Sequence, residues 1–295
     1  MRVAVVTDST ADLTDEEVRT SAVTVVPLQI GFGDETLLDR VEIAPTEFYR
    51  RLRESNVPPT TSQPPPLAFF KVFSALLTDY DAVVGAFISR KLSGTIGAAE
   101  AARGMVAASG GAKAALIDLI DSGTTSYALG QAVLAGARAA AAGAGPAEVR
   151  TRIVDAVHRS WAYIAVDSLE SLRRGGRIGG AAALVGSLLQ IKPILTVRDG
   201  VVCVEDKVRT FRRALDVLAE KAGREAVGEG GAPQVSVVHT DAREHADALA
   251  ERLTVLAPQV AWHIRDMGPT LGVHLGAGHA GVVYMNEPQK ERDKP

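Results

Sequence analysis

The chain of 295 residues has a single cysteine, Cys203, so an internal disulfide is excluded. Aromatic residues make up only 5%, and the net charge is −3 with both signs spread along the chain. No stretch of about 18 uncharged apolar residues occurs, and the N-terminal apolar run reaches Asp8 too early for a signal peptide. These features argue against stable membrane insertion and against a broad surface for nucleic acid. We expect a soluble, cytoplasmic protein.

Hydrophobic residues make up 46% of the sequence, enough for a packed core. Short apolar runs alternate with amphipathic ones in the first half, which predicts βαβ units and a mainly parallel sheet flanked by helices over 1–159. Apolar runs on both sides of Asp199-Gly200 predict a hairpin, with Cys203 in a buried strand. The pattern from 160 predicts a smaller α+β domain over 160–286, and 287–295 are predicted to form a flexible tail.

Polar loops follow several predicted strands, where ligands usually bind in such sheets. They are "TDSTAD", "SRKLSGT" and "DSGTTS". A fourth polar stretch, "PPTTSQPPP", is enclosed by prolines and is predicted to be a stiff loop. In the first loop we expect Asp8 to organise the backbone, and Thr14 and Glu17 have the spacing of a helix capping box.

The "SRKLSGT" loop places Ser93, Gly94 and Thr95 where a helix is predicted to begin. Free backbone N–H groups and the positive end of the helix would meet two hydroxyl groups there, an arrangement that suits an anion. The same pattern also describes an ordinary serine or threonine N-cap. The G-x-S-x-G pattern of an α/β-hydrolase nucleophile is absent around Ser93.

Three further patterns have ordinary explanations. Gly276, Gly278 and Gly281 have dinucleotide-motif spacing, but a predicted strand follows them instead of a helix. The "SLRRGGRIGG" segment is a short basic cluster, typical of a solvated surface, although contact with a phosphate or an acidic partner stays open. The six histidines lack metal-site spacing, so no metal is expected.

Taken together and in order, these loops resemble the DegV family. The resemblance rests on "TDSTADL", "PTTSQPPP", "SRKLSGT", "DSGTTS", "SLRRGGRIGG", "LLQIKPIL", "EDKVRT" and "GVHLGAGHAGVVY". It implies a two-domain α/β protein that buries one long-chain fatty acid, such as palmitate or oleate, in an apolar tunnel between its domains. It also implies that the chain is no enzyme and needs no cofactor, and that a separate ATP-binding kinase subunit phosphorylates the carried acid for lipid metabolism.

The resemblance also implies roles for particular residues. It places the fatty acid carboxylate at Thr61, Ser62, Ser93, Gly94, Thr95 and His274. The basic cluster of Arg173, Arg174 and Arg177 is our own candidate for contact with the kinase partner or a phosphate, and it does not come from the resemblance. The sequence departs from the family at Ala277, where proline is usual, and at His279, where a small or apolar residue is usual. We therefore expect the loop from Gly276 to Gly278 to be more mobile than its counterparts.

Two alternatives remain at this stage. The first is a hydrolase or acyltransferase that uses Ser93 with His274 and an acid such as Asp8. The second is a regulatory or sugar-phosphate-binding protein that uses the glycine-rich and arginine-rich loops.

Overall fold

The computed structural model describes residues 1–109, 112–184, 191–227, 234–258 and 260–286. The chain divides into two compact units. The first comprises Met1–His158 with two short segments, Arg198–Val201 and Gly268–Val273, and the second comprises the other described residues. The predicted division into contiguous domains, 1–159 and 160–286, stays a prediction. It differs from the two units in that it assigns Arg198–Val201 and Gly268–Val273 to the second domain. The predicted tail, 287–295, and part of "LLQIKPIL" lie outside the described residues.

Strands and helices alternate along most of the first unit, as the sequence pattern predicts, but three consecutive strands interrupt this order. Its strands are β1 (Val3–Asp8), β2 (Thr24–Val26), β3 (Gln29–Phe32), β4 (Glu35–Leu38), β5 (Thr60–Ser62), β6 (Ala82–Phe87) and β7 (Ile117–Asp121). The helices within Met1–His158 are α1 (Asp15–Ser21), α2 (Pro45–Glu54), α3 (Pro66–Asp79), α4 (Thr95–Ala108), α5 (Ser126–Ala141) and α6 (Pro146–His158). The predicted capping box forms at the start of α1, between Thr14 and Glu17.

The main sheet of the first unit has four parallel strands in the order β2-β1-β6-β7. Every residue of β1 and β6 is buried, as expected for central strands covered on both faces. On one face, Phe69 of α3 packs edge-on against Phe87 at the end of β6, with ring centroids 5.3 Å apart. This core fixes the ends of the strands, from which the polar loops emerge.

The sequence analysis predicted a stiff loop for the proline-enclosed stretch, and this prediction is wrong. The stretch contains a short strand. Residues Thr60–Ser62 form β5, the edge of a three-stranded antiparallel sheet with the order β4-β3-β5. Thr61 is opposite Ile30 of β3. Prolines are tolerated beside an edge strand, because one side of its backbone needs no partner strand. The hydroxyl side chains are therefore held by a sheet as well as by prolines.

The second unit is built on a six-stranded mixed sheet, which confirms the predicted α+β pattern. Its strands are β8 (Ser160–Ala165), β9 (Lys192–Arg198), β10 (Val201–Val208), β11 (Gln234–Thr240), β12 (Trp262–Asp266) and β13 (His279–Met285), in the order β10-β9-β8-β13-β11-β12. Its helices are α7 (Glu170–Arg174), α8 (Phe211–Val227), α9 (Arg243–Leu256) and the end of α10 (Pro269–Leu275). Residues of α8 and α9 form one core with β11 and β13.

The predicted hairpin joins β9 and β10 through Asp199 and Gly200. Both residues have positive φ, 52° and 79°. Positive φ at both central residues is typical of the two-residue hairpin turn whose twist matches that of the flanking strands. Cys203 lies in β10 as predicted, but the prediction that it is buried is wrong, since it is partly exposed. Among the described strands, β10 is the edge of its sheet, where side chains are less covered than on a central strand.

The described helices are shorter than a typical membrane span. The longest described helices, α8 and α5, have 17 and 16 residues. A membrane span needs about 20 predominantly apolar residues. In the part of the chain that the structure describes, none of the helices is long and apolar enough to cross a membrane.

Candidate functional site

The loop between β6 and α4 carries three of the predicted carboxylate-binding residues, Ser93, Gly94 and Thr95. The backbone N–H groups of Leu92 and Ser93 both donate to the carbonyl of Ser89, at 2.9 and 3.0 Å, which closes a tight turn. The Ser93 hydroxyl accepts from the Thr95 N–H at 3.3 Å and lies 2.8 Å from the Thr95 hydroxyl. Thr95 is buried and Ser93 is only partly so, which leaves Ser93 as the accessible hydroxyl.

Helix α4 begins at this loop with an exposed glycine. Gly94 is the N-cap residue and has no side chain with which to bond the N–H groups of the first turn. Such N–H groups lack partners within the helix and carry partial positive charge. The first turn of α4 contains no acidic residue that would repel an anion. This helix end can therefore receive a carboxylate or a phosphate oxygen.

Gln63 brings the second predicted segment to this loop. A Cβ atom placed on Gly94 would lie 2.7 Å from Nε2 and 2.8 Å from Oε1 of Gln63, so the amide packs directly on the glycine backbone. Gln63 directly follows Thr61 and Ser62 of β5. The structure therefore places the two hydroxyl-bearing segments side by side. Gln63 is missing from the site residues predicted above, and only its position between hydroxyls and prolines pointed to it.

The hydroxyl groups of β5 differ in how they are held. Ser62 is exposed, and its hydroxyl donates to Oε1 of Gln29 on the neighbouring strand at 2.9 Å. Thr61 is half-buried and faces Ile30 across the small sheet. Both predicted residues therefore lie on an ordered strand, and Thr61 is the more enclosed of the two.

Asp8 ties together the ends of the two central strands. Its Oδ1 accepts from the N–H and the hydroxyl of Thr10, at 2.9 and 2.5 Å, and its Oδ2 accepts from the N–H of Ile88 at 2.8 Å. Burial raises the pKa of Asp8 to about 6, against the lowering effect of these hydrogen bonds. Both carboxylate oxygens are thus engaged by Thr10 and Ile88, which supports the structural role expected for Asp8.

A buried ionic network lies behind the same end of the sheet. Asp12 accepts from Arg40 at 2.9 Å, from the N–H of Gly268 at 2.8 Å and from Ser126 at 3.3 Å. Burial raises the pKa of Asp12, opposed by the Arg40 guanidinium. The N–H of Gly268 belongs to the short segment that precedes α10, so the network fixes the start of that helix.

Asp39 is the second acid of this network. Its Oδ2 accepts from the hydroxyl of Ser9 at 2.7 Å and from that of Thr270 at 2.6 Å. Burial raises the pKa of Asp39 to about 6. Since Thr270 lies in the first turn of α10, Asp39 holds this helix as Asp12 holds the residue before it.

His274 lies in the last turn of α10, within the second unit. A Cβ atom on Gly175 would come within 2.3 Å of its Nδ1, so the ring packs on the backbone of Gly175. Burial lowers the pKa of His274 to about 4, and the nearby Arg177 lowers it further. At neutral pH the imidazole is therefore uncharged and offers a hydrogen bond without a positive charge.

The basic cluster divides into two kinds of arginine. Arg173 and Arg174 both pair with Glu170 on the exposed surface of α7, at 2.7 and 3.6 Å. Arg177 is also exposed, but it bonds the carbonyl of Gly175 at 2.6 Å and acts electrostatically on His274. The charge of Arg177 thus acts on a predicted site residue, His274.

The glycine turn after α10 is fastened by hydrogen bonds. Gly278 donates to the carbonyl of Thr240 at 2.7 Å, and the backbone N–H of His279 donates to the Thr240 hydroxyl at 3.0 Å. The His279 ring contacts the Leu275 carbonyl at 3.0 Å and accepts from the Asp167 N–H at 3.4 Å. These contacts oppose the mobility predicted from Ala277 and His279, which stays a prediction.

The element that follows this turn is the one that the sequence predicts. Strand β13 follows it directly, which confirms that the glycine spacing does not open a dinucleotide-binding helix. Among the described residues, no three histidine, cysteine or acidic side chains converge as a metal site would require.

The geometry can be compared with known proteins. A sequence profile described as "Uncharacterised protein, DegV family" matches residues 2–287. The chain belongs to the DegV family. It is 38% identical over 287 residues to a DegV domain-containing protein of Clostridium perfringens, covering 97% of this chain and 100% of that protein. A DegV domain-containing protein of Streptomyces coelicolor is 38% identical over 286 residues, covering 95% and 97%.

Solved DegV structures share the fold. A fatty acid-binding DegV family protein from Thermus thermophilus superposes with a TM-score of 0.87 at 30% identity, covering 97% of this chain and 100% of that one. DegV from Bacillus subtilis, described as a fatty acid binding protein, superposes with a TM-score of 0.87 at 32% identity and with the same coverage. The predicted resemblance to the DegV family is thus confirmed, and so is the α/β fold class.

Proposed function

We propose that this DegV family protein binds a long-chain fatty acid and holds its carboxylate at the Ser93 loop and β5. The observation that carries the proposal is the packing of the Gln63 amide on Gly94, which sets the hydroxyls of β5 beside the open N-terminus of α4. Relatives at 30% and 32% identity are described as fatty acid binding, which supports the same ligand class here.

The chemistry of the loop fits a fatty acid better than a small, highly charged ligand. Burial of an alkyl chain contributes about 0.8 kcal/mol per methylene, so the tail of palmitate can supply roughly 10 kcal/mol before the entropic cost of binding. The head group then needs only to be satisfied. Hydroxyls of Thr61, Ser62 and Ser93, with backbone donors of α4, can do this without a buried arginine. His274 is included in the proposal as an uncharged donor.

The neutral head-group donors also suit a carrier whose cargo reacts. A carboxylate oxygen held by hydroxyls keeps more nucleophilicity than one paired with a guanidinium. We therefore assign the chain the role of a non-enzymatic subunit that presents the acid to a separate ATP-dependent kinase, with the acyl phosphate passing to lipid metabolism. Of the predicted partner residues, we favour Arg177 for contact with a phosphate, because it is exposed and its charge acts on His274, one of the proposed carboxylate-binding residues.

The proposal is tested by separating retention of the acid from its reaction. In the Ser93→Ala and Thr61→Ala variants, the affinity for palmitate should fall by less than about tenfold, because the tail supplies most of the binding free energy. Acyl phosphate formation with ATP and a fatty acid kinase subunit should fall by about a hundredfold, because the reacting oxygen loses its orientation. Palmitate binding is followed by calorimetry and acyl phosphate by trapping with hydroxylamine.

Ser109→Ala is the matched control, because Ser109 bonds the carbonyl of Val106 at the opposite end of α4. It should change neither quantity. Equal losses of affinity and rate in Ser93→Ala would contradict the division of roles. Hydrolysis of a fatty acyl ester by the purified chain, abolished by Ser93→Ala, would instead support the hydrolase alternative.

A further inference from the structure

Ser89 stands at the start of the loop that presents Ser93. It is 1% exposed, and its N–H donates to the carbonyl of Thr124 at 2.9 Å. Its carbonyl accepts from the N–H groups of Leu92 and Ser93, so the position of Ser89 determines where the backbone of Ser93 lies. Ser89 thus connects two of the polar loops that follow neighbouring strands of the parallel sheet.

The hydroxyl of Ser89 is committed in both directions. It donates to the carbonyl of Gly200 at 2.8 Å and accepts from the N–H of Lys91 at 3.2 Å. With its donor and one acceptor position used, the hydroxyl holds one orientation. Gly200 lies in the Asp199-Gly200 turn, which belongs to the first unit. The Ser89 hydroxyl therefore joins the turn to the Ser93 loop.

Gly200 is shaped to accept this contact. A Cβ atom at this position would lie 2.5 Å from Oγ of Ser89, closer than packing allows, and 3.6 Å from its Cβ, an ordinary contact. The residue also has a φ of 79°, a conformation that favours glycine. The close approach of the turn thus depends on the absence of a side chain at residue 200 and on the Ser89 hydroxyl.

We infer that Ser89 is a positioning residue for the fatty acid carboxylate. The Asp199-Gly200 turn fixes the Ser89 hydroxyl, and the Ser89 carbonyl fixes the backbone of Ser93. The Ser93 hydroxyl is thereby aimed at the bound carboxylate. This inference rests on the proposed function, and it adds a residue and a turn that do not touch the fatty acid.

The test follows the signal of the carboxylate itself. Palmitate labelled with ¹³C at its carboxyl carbon is bound to the wild type and to Ser93→Ala, Ser89→Ala, Gly200→Ala and the double variant Ser89→Ala/Gly200→Ala. The carboxyl resonance should move in Ser89→Ala in the same direction as in Ser93→Ala. Acyl phosphate formation should fall by about tenfold while the Kd for palmitate changes by less than about threefold.

The double variant separates positioning from general damage. In the wild-type background, Gly200→Ala should shift the carboxyl resonance, because the new Cβ displaces the Ser89 hydroxyl oxygen. In the Ser89→Ala background, where this oxygen is absent, Gly200→Ala should cause little further shift. The strain at residue 200 is common to both backgrounds and cancels in the comparison. Ser236→Ala is the control, because Ser236 is an equally buried serine that accepts from Arg265 in the second unit. It should leave the resonance unchanged.

The outcomes separate the inference from the proposed function. Failure of the wild type to bind the labelled palmitate would overturn both. A resonance that differs between the wild type and Ser93→Ala, but is the same in the wild type and Ser89→Ala, would overturn the inference alone. If Ser89→Ala does not fold, Gly200→Ala decides, and an unshifted resonance in that variant would overturn the inference.

Discussion

The two units bury opposite kinds of ionisable side chain. The first buries carboxylic acids, and burial raises the pKa values of Asp8 and Asp39 to about 6. The second buries histidines, and burial lowers the pKa values of His274 and His279 to about 4. In each case the low-polarity interior disfavours the charged form. In both units, burial of the charged form therefore lowers stability, but it does so at high pH for the acids of the first unit and at low pH for the histidines of the second.

The sign of the pH dependence follows from these directions. The folded-state pKa of Asp39 is raised from 3.8 to about 6, so its stabilising contribution is complete below pH 3.8 and is lost as the pH rises through about 6. The pKa of His279 is lowered from 6.5 to about 4, so its contribution is complete above pH 6.5 and is lost as the pH falls through about 4. Between these limits the two residues act in opposite directions.

The largest effect on stability is expected at the buried ion pair between Asp12 and Arg40. Asp12→Asn keeps the shape of the side chain and suits the positive φ of 52°, but removes the negative charge that is hydrogen-bonded to the Arg40 guanidinium. We expect the free energy of unfolding to fall by about 3–5 kcal/mol, as for other broken buried pairs. Urea denaturation measures this. Glu148→Gln, which breaks an exposed pair with Arg152, should have almost no effect, and equal losses in both would contradict the comparison.

A somewhat smaller effect isolates one buried acid. The difference between a pKa of 3.8 and one of about 6 corresponds to about 3 kcal/mol, which the wild type loses as Asp39 ionises. Asp39→Asn retains an oxygen to accept from Ser9 and Thr270 but does not ionise. Unfolding measured from about pH 4 to pH 7 should show the variant gaining about 3 kcal/mol relative to the wild type. Parallel pH profiles would mean that Asp39 is not penalised by burial.

The smallest effect concerns the second unit and has the opposite sign. His279→Gln removes the titrating ring but keeps groups able to contact Leu275 and Asp167. Between pH 7 and pH 5 the wild type should lose about 2 kcal/mol relative to this variant, because only the unfolded chain takes up a proton readily at this residue. Thermal unfolding at the two pH values measures the difference. If the variant loses as much stability as the wild type on acidification, burial of His279 does not disfavour its charged form, and the comparison between the units fails.

Local patterns in the sequence predicted much of the fold. The buried runs of β1 and β6 predicted the parallel sheet, Asp199-Gly200 predicted the hairpin, and Thr14 with Glu17 predicted the cap of α1. Each of these signals lies within a few residues of the structure that it specifies. Turn geometry, capping and strand burial are local consequences of residue type, which explains why they can be recognised without a structure.

The contacts that define the candidate site are not local. Gln63 meets Gly94, and Ser89 bonds Gly200 at a separation of 111 residues. Asp39 bonds Thr270 at a separation of 231 residues. Such contacts depend on how the sheets are assembled, so they cannot be predicted from the periodicity of the sequence. The assignment of Thr60–Ser62 to a loop failed for the same reason, since its partner strand β3 is distant in sequence.

The most direct test of the central claim is the lipid content of the purified protein. Extraction with organic solvent followed by mass spectrometry should recover a near-stoichiometric amount of an intact long-chain fatty acid. Delipidated protein should regain palmitate on incubation. A protein that carries no fatty acid as purified, and that also fails to retain palmitate after incubation, would contradict the account.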